Sequence, residues 1–191
     1  MQICVYCGSS GQVNPNYFEA ARRLGEIFAQ ENISLVYGAG HMGLMGKVAD
    51  SMLENNGKVT GVIPRFMVDE GWSHKALSDL VITENMHERK QTMARLADAV
   101  VAMPGGCGTF EELLEIITWK QLGLFTKPIV ILNVDGYYDG LLEVLKRAVN
   151  EKFMRVEHAR MWEIVSTPED VLSAIKNAAE WDVNCRKFAA I

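Results

Sequence analysis

Ala99-Val100-Val101-Ala102-Met103-Pro104-Gly105-Gly106-Cys107-Gly108-Thr109-Phe110-Glu111-Glu112 is the stretch whose reading decides the fold. Its first five residues form an apolar run suited to a strand covered on both faces, and a glycine turn and a helical pattern from near Thr109 follow directly. A turn with so little side chain lets a ligand approach the backbone. The free N–H groups at the start of the next helix favour an anion such as phosphate. Two consecutive carboxylates then fall in the first helical turn. The helix dipole accounts for one acid there, and an acid beside a phosphate turn is also placed to act on the sugar that carries the phosphate.

The same alternation runs outward in both directions. Periodicity predicts strands over 3–7, 33–37, 59–63, 80–83, 99–103, 129–132 and 162–165, and helices over 15–30, 44–54, 86–97, 109–122 and 138–149. Thr167-Pro168-Glu169-Asp170 supplies a cap, a first-turn proline and two acids, so a last helix is expected through about residue 179. The segment 64–78 has no clean period and mixes Phe66, Met67 and Trp72 with charges, which reads as a long loop or short broken helix over the site. The expected architecture is a three-layer, Rossmann-like, doubly wound α/β fold with a mainly parallel sheet. At 191 residues, 49% of them hydrophobic, the chain is expected to form one nucleotide-binding domain over 1–191. Three turns, Gly8-Ser9-Ser10, Gly38 to Gly43 and Gly105 to Gly108, follow predicted strands and therefore share the sheet edge where ligands bind.

A net charge of −5, with Arg22-Arg23 and Arg89-Lys90 as isolated basic pairs, excludes a nucleic-acid surface. No stretch approaches the roughly 20 apolar residues of a membrane helix, and no basic-plus-apolar leader opens the chain. A cytoplasmic protein with no nucleic-acid or membrane partner is expected. Cys4 and Cys7 lie at odd spacing on a predicted strand, so their sulfurs point to opposite faces and cannot converge on a metal or a disulfide. The His and Cys residues show no ligand spacing, so no metal site is expected.

Gly38-Ala39-Gly40-His41-Met42-Gly43 fits the dinucleotide pattern G-x-G-x-x-G, but it follows the second strand, and the next strand ends in Ile63-Pro64-Arg65 where a ribose-binding acid is usual. A backbone-approach role in a mononucleotide site fits better, with tight helix–strand packing the alternative for Gly43 and Gly46. His41 and His87 could exchange protons near neutral pH; a space-filling loop residue and a helix-start residue are the plainer readings. Arg89 can fork onto two oxygens of one anion, which Lys90 cannot.

Pro104 to Glu112 fits the P-G-G-x-G-T-x-x-E signature and resembles the LOG family, phosphoribohydrolases that cleave cytokinin riboside 5′-monophosphates. Met86-His87-Glu88-Arg89-Lys90 is similar to the family's second signature, and Tyr37 to Gly46 to its Tyr-Gly-Gly-Gly segment, with Ala39 where a glycine is usual. Cys4 to Ser10 resembles its first strand and loop, and the similarity extends through Asp139-Gly140.

The resemblance implies Arg89 and Glu112 as catalytic residues and Lys90, Glu111, Thr118 and Glu70 as substrate contacts. The glycine turns, through Gly8, Ser9, Gly40, Gly105, Gly106, Cys107, Gly108 and Thr109, are expected to grip a 5′-phosphate. It also implies a homodimer, for which the apolar helices 86–97 and 109–122 could supply a self-complementary face.

Hydrolysis of an N-ribosidic bond passes through an oxocarbenium-like sugar, which needs a nearby carboxylate. Such a scheme requires no metal or organic cofactor. Lysine decarboxylation, another label attached to this family, would need pyridoxal phosphate held on a lysine, and no lysine stands out. A non-catalytic nucleotide or cofactor carrier on the same fold is the alternative, although a carrier need not keep both Arg89 and Glu112.

Overall fold

A computed structural model describes residues 1–77 and 79–182; Cys185 lies outside them. Strands β1 (Gln2–Tyr6), β2 (Ser34–Tyr37), β3 (Val59–Pro64), β4 (Asp79–Thr83), β5 (Ala99–Ala102), β6 (Ile129–Leu132) and β7 (Glu163–Val165) join one sheet in the order β4-β3-β2-β1-β5-β6-β7. Every pairing is parallel, so the sheet is wholly rather than mainly parallel.

Alternation along the strands divides the core in two. Ile3, Val5, Ala99, Val101, Val130 and Leu132 face one side, where Leu24 and Phe28 of α1 (Pro15–Gln30) and Val48 and Met52 of α2 (Gly43–Glu54) cover them. Cys4, Tyr6, Val100, Ala102 and Ile131 face the other side, against Met93 of α4 (Met86–Leu96) and Leu113 and Ile116 of α5 (Cys107–Gln121). Cys4 and Cys7 accordingly sit in different halves of the core, both buried and unpaired. Two covered faces explain why the central strands are continuous apolar runs.

Local signals set the element ends. Asn85 caps α4 by accepting the Glu88 N–H at 2.9 Å, while the Glu88 carboxylate accepts the Glu84 N–H at 2.8 Å. Helix α5 begins at Cys107, two residues before the expected start, because Gly106 is already the extended capping residue. The aperiodic segment contains a short helix, α3 (Arg65–Asp69), with no buried residue. Helix α6 spans Asp139–Asn150. The expected last helix divides into a 3-10 turn, Pro168–Asp170, and α7 (Val171–Asn177). The Thr167 hydroxyl donates to the Asp170 carboxylate at 2.7 Å instead of capping the backbone, and Ala178 turns extended, ending the helix early.

Candidate active site

Register brings the three glycine turns to one level. Tyr6 pairs with Ala102 and Val5 with Tyr37, so the chain leaves β1, β2 and β5 side by side, and the Gly8 N–H donates to the Pro104 carbonyl at 3.0 Å. The strand order reverses between β1 and β5, the switch point where parallel sheets bind ligands. A cavity of about 490 Å³ opens there, a size suited to a small-molecule site. Gly8, Ser9, Gly40, Arg89, Gly106, Gly108, Thr109, Glu111 and Glu112 line it, nine of the residues singled out from sequence.

Arg89 is buried and fixed by the ends of two strands. Its Nε donates to the Val62 carbonyl of β3 at 3.0 Å and its Nη2 to the Gly38 carbonyl after β2 at 2.9 Å. A Cβ at Gly38 would lie 1.9 Å from Nη2, so the glycine is the residue that admits the guanidinium. With two nitrogens committed to carbonyls, Nη1 faces Glu112 Oε1 at 4.0 Å.

Glu112 projects inward from the second turn of α5 and is 11% exposed. Burial pushes its carboxyl up to about 7, opposed by the Arg89 charge, with the neighbouring Glu111 adding to the rise. A carboxyl that titrates near neutrality can both carry charge and exchange a proton under working conditions.

The adjacent acids separate because one residue of helix is about 100° of rotation. Glu111 turns outward to Lys90, whose Nζ donates to Glu111 at 2.9 Å and to Glu115 at 3.2 Å. Lys90 thereby holds the Glu111 carboxyl below the ordinary range. At the start of α5 the first N–H groups have no intrahelical carbonyl to bond. Gly106, Gly108 and Thr109, at that helix start, line the cavity.

Glu70, Lys90, Gly105, Cys107 and Thr118, also singled out from the sequence, lie off the cavity wall. Glu70 is exposed at the end of α3, and Thr118 is exposed and donates to the Leu114 carbonyl at 2.8 Å. Cys107 is exposed on the first turn of α5, and Gly105 packs under Thr109 and beside Gly8. His41 lines the cavity with its Nδ1 3.0 Å from the Trp72 carbonyl, whereas His87 is exposed away from it.

Sequence reading missed the braces beneath the turn. The Tyr137 hydroxyl donates to the Gly105 carbonyl and the Tyr138 hydroxyl to the Met103 carbonyl at 2.7 Å, with the Tyr137 ring stacked on Phe110 at 6.2 Å. Adjacent tyrosines before a helix were the available signal. Also missed was the lining by Met42, Met45, Met86 and Met93, whereas Met67 lies in the segment expected over the site.

Residues 45–175 match a family model described as "Possible lysine decarboxylase". A cytokinin riboside 5′-monophosphate phosphoribohydrolase of Arabidopsis thaliana is 44% identical over 167 residues, covering 87% of this chain and 78% of that protein. Another, from Oryza sativa subsp. japonica, is 43% identical over 185 residues, 95% and 76% of the two chains. The chain belongs to the LOG family. Solved structures share its fold. The molybdenum cofactor binding protein of Rippkaea orientalis superposes with TM-score 0.70 at 22% identity over 92% of this chain and 94% of that one. The Moco carrier protein of Chlamydomonas reinhardtii superposes with TM-score 0.70 at 20% identity, covering 93% and 96%. At those identities the likeness shows the fold alone. Ala39, where this chain departs from the LOG glycine pattern, is buried with φ 59°, a left-handed conformation that glycine adopts freely and alanine does not. Among the described residues no lysine lines the cavity.

Proposed function

We propose that this chain hydrolyses the N-ribosidic bond of purine riboside 5′-monophosphates, N6-substituted adenines included, releasing the free base and ribose 5-phosphate. The observation that carries the reading is the buried Glu112 carboxyl 4.0 Å from a fixed Arg89, in a cavity also lined by Gly106, Gly108 and Thr109 at the start of α5. The names of relatives 43–46% identical to this chain describe that activity.

In this reading the α5 turn, Gly8, Ser9 and Thr109 hold the phosphate, and Glu112 faces the ribose. The C1′–N9 bond breaks with its electron pair leaving on the base, and the oxygen of water bonds C1′. The proton lost by water passes to Glu112 and from there to the departing base. The carboxylate balances the positive charge that builds on the sugar, and Arg89 fixes its direction without neutralising it by a close pair. Binding energy from the remote phosphate orients the sugar for attack, so nucleosides are expected to be poor substrates.

Incubating the purified protein with a panel of nucleoside 5′-monophosphates tests this directly. AMP or an N6-substituted AMP should yield free base and ribose 5-phosphate without added metal, NAD or pyridoxal phosphate, and EDTA should change little. Abolition by EDTA, or cadaverine from lysine with pyridoxal phosphate, would remove the hydrolase reading. Tight nucleotide binding with no bond cleavage would favour a carrier.

No helix among the described residues is long and apolar enough to cross a membrane; the cytoplasm is the compartment we assign with this reading. We also assign it a homodimer. Leu114 and Leu122 on and after α5 are 38% and 42% exposed, and Leu124 beyond them 62%, an apolar stripe suited to a two-fold contact. Sedimentation velocity should give a dimer for the parent and a monomer for the Leu114→Glu/Leu122→Glu double variant; a monomeric parent would overturn the assignment.

A further inference from the structure

Besides the glycine turns, Arg89 and Glu112, the cavity is lined by Met42, Met45, Met67, Met86 and Met93, together with Trp72. Methionine is flexible and polarisable, and a wall of it accepts apolar groups of varied shape.

Trp72 is the aromatic residue in this wall. The residue is 51% exposed, yet its backbone is held from three directions. The Trp72 N–H donates to the Met67 carbonyl at 3.1 Å, and the Trp72 carbonyl lies 3.0 Å from His41 Nδ1. Ser73 forms an antiparallel bridge with Gly40. The His74 N–H donates to the Ala39 carbonyl at 2.8 Å, while its Nε2 meets the Asp50 carboxylate of α2 at 2.8 Å. A large apolar ring left half in water on so well fixed a backbone is positioned for something that completes its burial. Because the tether runs to the glycine turn after β2, the ring stays on the cavity wall.

We infer that Trp72 is a substrate-binding residue that stacks on the purine of the nucleotide. The inference rests on the hydrolase reading for its kinetics but not for its binding arm. A flat ring is recognised by a flat ring whichever base is present.

The test combines kinetics with fluorescence. Trp72→Ala should raise KM for N6-isopentenyl-AMP by about tenfold or more, leave kcat within about twofold and leave inhibition by ribose 5-phosphate unchanged. Trp72→Phe should restore most of the loss. A merely structural role for the residue would instead weaken ribose 5-phosphate as well. The other tryptophans, Trp119, Trp162 and Trp181, do not line the cavity, so nucleotide should quench emission in the parent and not in Trp72→Phe. If no nucleotide is hydrolysed, the hydrolase reading fails while the quench still decides for or against Trp72. Unchanged KM in Trp72→Ala, or equal quenching in Trp72→Phe, would overturn the inference.

Discussion

Glu112→Gln lowers turnover by roughly a hundredfold or more, the scale of a lost charge-stabilising or proton-transferring group, while nucleotide binding survives and the protein becomes more stable above neutral pH. The two effects have one cause. In the unfolded chain the carboxyl titrates near the ordinary value of about 4.3, whereas burial holds it at about 7 in the folded protein. Between those values the folded state retains a proton that the unfolded state has released. Glu112 therefore supports folding fully below the unfolded value, and that support is lost as pH rises through about 7. Glutamine has no such titration. Urea unfolding at pH 5 and pH 8 should show the variant gaining on the parent with rising pH, by on the order of 3 kcal/mol at most. Activity runs the other way: parent kcat/KM should rise through about 7 as the carboxylate forms, and the residual rate of the variant should be flat there. A variant within a few-fold of the parent in turnover would take Glu112 out of the mechanism.

The fold was legible because every strand that positions the site is a short apolar run between turn signals, and a parallel sheet covered on both faces demands such runs. Ala99 to Met103 and Ile129 to Leu132 could be placed to within a residue. Convergence of the three glycine turns followed from topology alone. What could not be read was anything set by direction in space. Glu111 and Glu112 are identical letters side by side, and only the rotation of α5 sends one to Lys90 and the other to Arg89. Arg89 and Lys90 are likewise adjacent, both buried, and their partners lie 27 and 51 residues away for the arginine and 21 and 25 for the lysine. Trp72 and Met67 could be assigned to a segment over the site but not to a wall, because α3 and its loop owe their course to bonds with Ala39, His41 and Asp50 rather than to a periodic pattern.

Gly106→Val separates phosphate recognition from folding, because neighbouring glycines in the turn do different work. A Cβ at Gly105 would lie 2.1 Å from the Thr109 Oγ1 and 2.8 Å from the Gly8 nitrogen, so Gly105→Ala should disturb the turn itself. A Cβ at Gly106 meets nothing within 4 Å, and its φ of −90° suits any residue. Valine at this capping position should therefore cost only about 1 kcal/mol of stability, the difference between a good and a poor cap. Its branched side chain would nevertheless stand at the mouth of α5, over the N–H groups that the phosphate needs. Hydrogen bonds to a charged group contribute about 1.5–3 kcal/mol each, so AMP affinity should fall by roughly tenfold to a hundredfold while adenosine affinity changes little. Calorimetric titration of both ligands into parent and variant, with circular dichroism to verify folding, reads the difference. A folded variant that still binds AMP far more tightly than adenosine would put the phosphate at another place in the cavity, and the helix start would lose its role.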